Sequence, residues 1–277
     1  MNRLLSIAKV IPESQLVFLC PHYDDVPLTF GGYLGELRKA GLRKTIRIVH
    51  IFSRSNYQAR DEAGNADSSL KRAQYATGVR LLEDLNCLDA LIGHGAYAYE
   101  LLHERESVLR GKGWKPGEKF EFPHGNQSTF DKEDWEIFRR LRSRFSEWLT
   151  LKDTAVLALL GVKEHVDHVM VRDAMIEARR KLGQAGNASV YFGEEQPYSG
   201  LADESDNRLT AKTVRRLGLE PRDYAIDAER KMSLIWKHYP TQVEKSYRLG
   251  VVGRAEQLKQ LHGARRGVER IYRWPSR

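Results

Sequence analysis

Cysteine is scarce in this chain. Two residues, Cys20 and Cys87, stand among 277, and no CxxC spacing is present. That excludes a disulfide framework or a zinc ribbon, and it predicts buried thiols in a reducing compartment. Long apolar runs are missing as well. None approaches the roughly 18–20 residues of a membrane span. The N-terminal stretch Met1–Ser14 turns polar too soon for the apolar core of a signal peptide. These absences predict a cytoplasmic protein with no membrane span. Solenoid-period repeats and low-complexity tracts are also absent.

What the chain does have is apolar material and an uneven charge. Hydrophobic residues make up 41% and aromatics 9%, enough for a real core. The formal net charge is +8. Residues 248–277 carry eight Lys/Arg and two Asp/Glu, so the rest of the chain stands near +2. A nucleic-acid enzyme spreads basic residues along its body. Here the excess reads as a basic C-terminal segment, a solvated helix and tail, and no nucleic-acid partner is expected.

Apolar runs alternate with helical patterns along the chain. Val17–Cys20, Ile46–Phe52, Leu88–Ile92, Thr154–Leu160 and Val190–Phe192 read as strands. Lys71–Leu85, Asp131–Leu149 and Asp227–His238 read as helices. In Asp131–Leu149 the aromatics Trp135, Phe138, Phe145 and Trp148 share one face and read as core. Residues 93–130 have a poorer pattern, with a helix predicted over Leu101–Leu109 and turn chemistry around Gly111 and Pro123. They read as an insertion or lid. Alternation of this kind predicts an α/β fold: one domain over 1–277, with a mostly parallel sheet and helices on both faces.

Two of the strands end in similar polar loops. After Val17–Cys20 comes Pro21-His22-Tyr23-Asp24-Asp25, and then a helical pattern through Gly31 and Gly32. After Thr154–Leu160 comes Gly161-Val-Lys-Glu-His165-Val-Asp167-His168, again followed by a helix. Ligands bind at the carboxyl ends of the strands in such sheets. Imidazole and carboxylate suit zinc or a similar first-row divalent ion. Three ligands and a water make a usual catalytic zinc site, and two such loops meeting at one sheet edge can supply them. Of the adjacent Asp24 and Asp25, one can bind metal while the other handles protons. Arg80 reads equally well as a pocket residue and as a surface partner of Glu83.

PHYDD with a Gly-Gly helix start, paired with a later HVDH, resembles the PIG-L/LmbE-like superfamily of zinc-dependent N-deacetylases. Smaller echoes are Tyr191 with Glu194 and Glu195, and Lys231 with Tyr239-Pro-Thr-Gln242. The resemblance implies a Rossmann-like, LmbE-like fold with the metal site at the C-terminal strand edge. It implies His22, Asp25 and His168 as metal ligands, with Zn2+ as the ion and Fe2+ or another first-row divalent ion as the alternative. It makes Asp24 the general base, His165 the oxyanion stabiliser and Asp167 the carboxylate that orients an imidazole and raises the pKa of His165. Arg80 corresponds to a substrate-binding position. The implied reaction removes an acetyl group from an N-acetylated amine, first of all an N-acetylglucosamine-type sugar or conjugate. The alternatives are an amidase on another acyl amide, such as a thiol-sugar conjugate or antibiotic intermediate, and a non-catalytic carbohydrate-binding protein. Association into a homo-oligomer is left open. The departures from the family pattern are Val26, where many members carry Glu, and Lys163-Glu164 ahead of the second motif.

Overall fold

The structure, a computed structural model, describes residues 4–113 and 121–275. The part of the 93–130 insertion over 114–120, and the last two residues of the basic C-terminal segment, lie outside the described residues. In chain order the helices are α1 (Ile7–Val10), α2 (Asp25–Lys39), α3 (Glu62–Ala66), α4 (Leu70–Leu91), α5 (Lys132–Leu149), α6 (Val166–Leu182), α7 (Glu204–Leu217), α8 (Ala228–His238) and α9 (Lys245–His262). The strands are β1 (Gln15–Cys20), β2 (Thr45–His50), β3 (Tyr97–Leu101), β4 (Thr154–Leu159), β5 (Ser189–Gly193), β6 (Glu220–Ile226) and β7 (Gly267–Trp274).

The strands form a seven-stranded sheet in the order β3-β2-β1-β4-β5-β7-β6. The first five are parallel, and β7 runs antiparallel to both its neighbours. Side chains alternate across the sheet because successive residues of a strand face opposite ways. Val17 and Leu19 pack with Phe138, Phe145, Val171 and Met175 of α5 and α6. Leu16, Phe18 and Cys20 pack with Phe30 and Leu34 of α2 and Leu88 of α4. Helices therefore cover both faces, as parallel strands buried on two sides require. Asp131 opens α5 with a reciprocal cap: its side chain accepts from the Asp134 amide and the Asp134 carboxylate accepts from its own.

The chain runs from β1 outward to β2 on one side and later places β4 on the other. The strand order reverses between β1 and β4, and the carboxyl ends of those two strands flank the crevice where such sheets bind ligands. Both polar loops read from the sequence emerge there.

Three expectations about the elements are corrected. Leu88–Leu91 lies in the last turn of α4, not in a strand. A five-residue apolar run fits either element, and here the pattern beginning at Leu70 continues through it. Leu101 closes edge strand β3, and the predicted helix over Leu101–Leu109 is replaced by a loop and a 3-10 turn at Ser107–Arg110. His103 there adopts a left-handed φ of 58°, which interrupts any helix. The basic C-terminal segment is no tail. It forms most of α9 and then β7, an inner strand of the sheet. Its charges are matched from within: Arg254 binds Glu194, Arg266 binds Glu36 and Arg270 binds Asp223. Among the described residues no helix is long and apolar enough to cross a membrane.

Asp223 ties β6 to both parts of this C-terminal region. It accepts hydrogen bonds from Arg270 Nε and Nη2, each at 2.7 Å, and lies 2.6 Å from His262 Nε2. Burial would raise its carboxyl, but the Arg270 hydrogen bonds and charge outweigh burial and hold it below the ordinary carboxylate range. A depressed carboxyl pKa adds stability above its unfolded value, about 3.9, and that stability is lost as pH falls through the folded value. Asp223→Asn is expected to cost about 1–3 kcal/mol at pH 7. In urea unfolding, the gap from wild type should narrow steadily below about pH 4. A gap that stays constant with pH would remove the ionised pair from the account.

Candidate metal centre

Pro21 ends β1, and the chain turns through His22 into α2, whose first residue is Asp25. Asp25 Oδ2 accepts the backbone N–H of His22 at 2.6 Å, which fixes the turn. After β4 the chain makes a tight left-handed bend at Gly161, Lys163 and Glu164, with φ of 79°, 61° and 51°. His165 then caps α6, accepting the Asp167 N–H on Nδ1 at 3.3 Å. His168 follows one turn in. Of the residues that depart from the family pattern, Lys163 faces α7, 3.5 Å from Asp206.

The two loops meet. His22 Nδ1 and His168 Nε2 are 3.1 Å apart. Asp25 Oδ1 lies 3.6 Å from His168 Nε2, and Asp25 Oδ2 lies 3.8 Å from His22 Nδ1. The edge of a tetrahedron of ligands about 2.1 Å from a common ion is roughly 3.4 Å, and the His22–His168 separation is close to it. The outer nitrogens of both histidines are held by carboxylates. His22 Nε2 is 3.0 Å from Asp167 Oδ2, and His168 Nδ1 is 2.6 Å from Glu195 Oε1. Carboxylate–imidazole pairs of this kind fix the tautomer and aim the free nitrogen at a metal. The donor set fits a first-row divalent ion. Burial alone would lower the His168 imidazole, but Asp25 and Glu195 outweigh it and carry it up to about 9.

His165 completes a triangle of rings, with centroids 5.0 Å from His22 and 4.8 Å from His168. A cluster of His22, His165 and His168 can be drawn through single nitrogens within 4.8 Å of one another. Asp25 meets the two histidines through different oxygens, Oδ1 toward His168 and Oδ2 toward His22, and Oδ2 also accepts the His22 N–H. The expected partnership of Asp167 with His165 is corrected. Asp167 is bound to His22, to the Ser107 N–H at 3.0 Å and to Arg110 Nη2 at 2.7 Å. Burial, followed by the neighbouring His168 and His22, pushes the His165 imidazole well below its ordinary value. Asp167 pulls the other way but is outweighed.

Asp24 stands beside the cluster at the start of α2 with 14% of its side chain exposed, and Arg80 Nη2 is 3.9 Å away. Arg80 is not a surface partner of Glu83. It is buried, binds Glu106, and donates to Ser55 Oγ at 2.6 Å and to Gln242 Oε1 at 2.7 Å. Glu83 instead accepts from Thr241 and Gln242. The Tyr239–Gln242 segment therefore serves to hold Arg80. Gly32 also has an explanation away from the site. A Cβ there would collide with the Glu269 carboxylate, which is paired with buried Lys231.

Besides Tyr239, whose hydroxyl donates to Asp84, three tyrosines come close enough to Asp24 to feel its charge: Tyr57, Tyr198 and Tyr247. Burial pushes the Tyr57 phenol up to about 12 and the other two well above their usual range, so all three stay protonated. Phe122 lies 5.3 Å from the His165 ring and 5.6 Å from Tyr198. Sequence reasoning missed this collar, and it missed Glu106, Ser107 and Arg110. Glu195 was noted without a role, although its place just past β5, on the same sheet edge, was a usable signal.

No family model matches the chain, and no curated protein matches it by sequence. Solved structures do. The zinc-inhibited form of teicoplanin deacetylase Orf2 is 17% identical, with a TM-score of 0.61 over 94% of this chain and 97% of its own. The A40926 pseudoaglycone deacetylase Dbv21 is 19% identical, with a TM-score of 0.57 over 96% of this chain and 100% of its own. The N,N'-diacetylchitobiose deacetylase from Pyrococcus horikoshii is 13% identical, with a TM-score of 0.52 over 95% of this chain and 89% of its own. At such identities the likeness is one of fold. This chain has the LmbE-like deacetylase fold, with a mostly parallel sheet and helices on both faces.

Proposed function

We propose that this chain is a metal-dependent N-deacetylase that hydrolyses an N-acetylated sugar or sugar conjugate to the free amine and acetate. The observation that carries the reading is a three-donor set, His22, Asp25 and His168, with two further polar groups, Asp24 and His165, left beside it. Zinc suits the donors, and Fe2+ is the alternative. A bound divalent ion supplies Lewis-acid polarisation of the acetyl carbonyl and a more acidic water.

The protein's own groups account for the proton transfers and for the developing charge. Asp24 takes the proton from the attacking water and delivers it to the departing nitrogen, so one carboxylate serves both halves of the reaction. His165 accepts the Asp167 N–H on Nδ1 and so carries its hydrogen on Nε2. As a neutral donor it stabilises the tetrahedral oxyanion. Arg80, clamped by Glu106, holds positive charge near Asp24. The solved relatives, a teicoplanin deacetylase and an N,N'-diacetylchitobiose deacetylase, support a reading as a deacetylase. Among the described residues the hydroxyls of Tyr57, Tyr198 and Tyr247 have no partner, and phenolic donors beside aromatic faces suit a neutral, hydroxyl-bearing ring.

Two measurements test the reading together. Metal analysis should give about one divalent ion per chain, as a three-ligand catalytic site requires. An amine-release screen across N-acetyl sugars and conjugates should show turnover that is lost in metal-free protein and restored by added Zn2+ or Fe2+. Absence of bound metal, with no activity on adding it, rejects the proposal.

A further inference from the structure

We infer that Arg110, from the irregular stretch between β3 and α5, is a positioning residue of the metal centre, holding the Asp167 carboxylate against His22. This inference rests on the metal-centre reading above. The stretch enters the molecule beneath the two motif loops. The Arg110 side chain is wholly buried, and its guanidinium lies over the Phe52 ring at 4.9 Å. Its Nη2 donates to Asp167 Oδ1 at 2.7 Å, and its Nε donates to Asp134 Oδ1 at 3.1 Å. Lys112 also binds Asp134. Two cations thus face two buried carboxylates, one at the start of α5 and one at the start of α6.

This arrangement fixes what His22 does. With Oδ1 held by Arg110, Asp167 Oδ2 is left for the Ser107 N–H and His22 Nε2, each at 3.0 Å. A carboxylate only accepts, so the hydrogen of His22 sits on Nε2 and the lone pair of Nδ1 faces His168 and Asp25. The same turn carries Glu106, which binds Arg80 on the Asp24 side. One short segment therefore sets both halves of the centre, although it contributes neither a metal donor nor the base.

The test uses the full chain with Arg110→Lys and Arg110→Met, and the probe is Zn2+ alone, in competition with a chromophoric chelator. Loss of an outer carboxylate partner typically costs 10–100-fold in metal affinity. Arg110→Met should fall in that range and Arg110→Lys between it and wild type. At saturating zinc, kcat should recover toward wild type with KM unmoved. Should Arg110→Met fail to fold, Arg110→Lys decides. Lower melting temperatures with unchanged zinc affinity would show a structural role only and overturn the inference. A wild-type chain that binds no zinc overturns the metal-centre reading itself, and this inference with it.

Discussion

Asp24→Asn is expected to keep its metal and lose turnover by about 10²–10⁴-fold, the usual contribution of a positioned general base. The substitution keeps the shape of the side chain and removes its ability to take a proton. It is also a clean probe of chemistry against folding. Asp24 precedes α2, but its side chain makes no cap hydrogen bond, so the helix loses little with it. Its nearest ionic neighbour, Arg80 Nη2, is 3.9 Å away and stays bound through Glu106, Ser55 and Gln242. Metal content by elemental analysis should match wild type, while kcat falls and KM moves little. Full activity in this variant removes Asp24 from the base role. Loss of metal together with activity would instead make Asp24 the ligand and return Asp25 to the turn.

His168→Ala should have the other large effect, on metal retention. His168 donates the central nitrogen of the donor set, 3.1 Å from His22 Nδ1 and 3.6 Å from Asp25 Oδ1. Its removal leaves two ligands from one loop and none from the other. The loss in affinity should exceed the 10–100-fold typical of outer-sphere changes. It also leaves the buried Glu195 carboxylate without its imidazole, although the Val162 N–H still donates to it at 2.6 Å. Chelator competition reads the affinity, and urea unfolding of the metal-free form separates out the cost to the fold. Unchanged zinc stoichiometry and affinity would place the third ligand elsewhere, with His165 the first candidate from its ring separations of 4.8 and 5.0 Å.

The two motif loops were legible because each follows a run that reads as a buried strand. A polar His/Asp group between a buried strand and a helix falls at the ligand-binding edge of the sheet. Arg110 left no such trace. A guanidinium is ordinarily a surface group, and its burial is decided by two aspartates that meet it only in the folded chain. Strand β7 was hidden for a related reason. Glu269 and Arg270 look solvent-facing in sequence, yet they point to opposite faces of an inner strand, where Lys231 and Asp223 neutralise them. In the described part of the region between β3 and α5, Arg110 is placed by partners distant in sequence, Asp134 and Asp167, which no local periodicity reveals.

The place of β7 bears on how the molecule is made. β7 separates β5 from β6, so among the described residues β6 joins the sheet through β7. During synthesis from the N-terminus the five parallel strands and their helices can assemble first. Until Gly267–Trp274 arrives, β5 then presents an open edge of unpaired backbone groups. Glu195, the carboxylate behind His168, follows the end of β5 by two residues. A chain stopped before Gly267 would therefore carry both motifs and still be a nascent, aggregation-prone species, with long-range antiparallel pairing as its slow closing step.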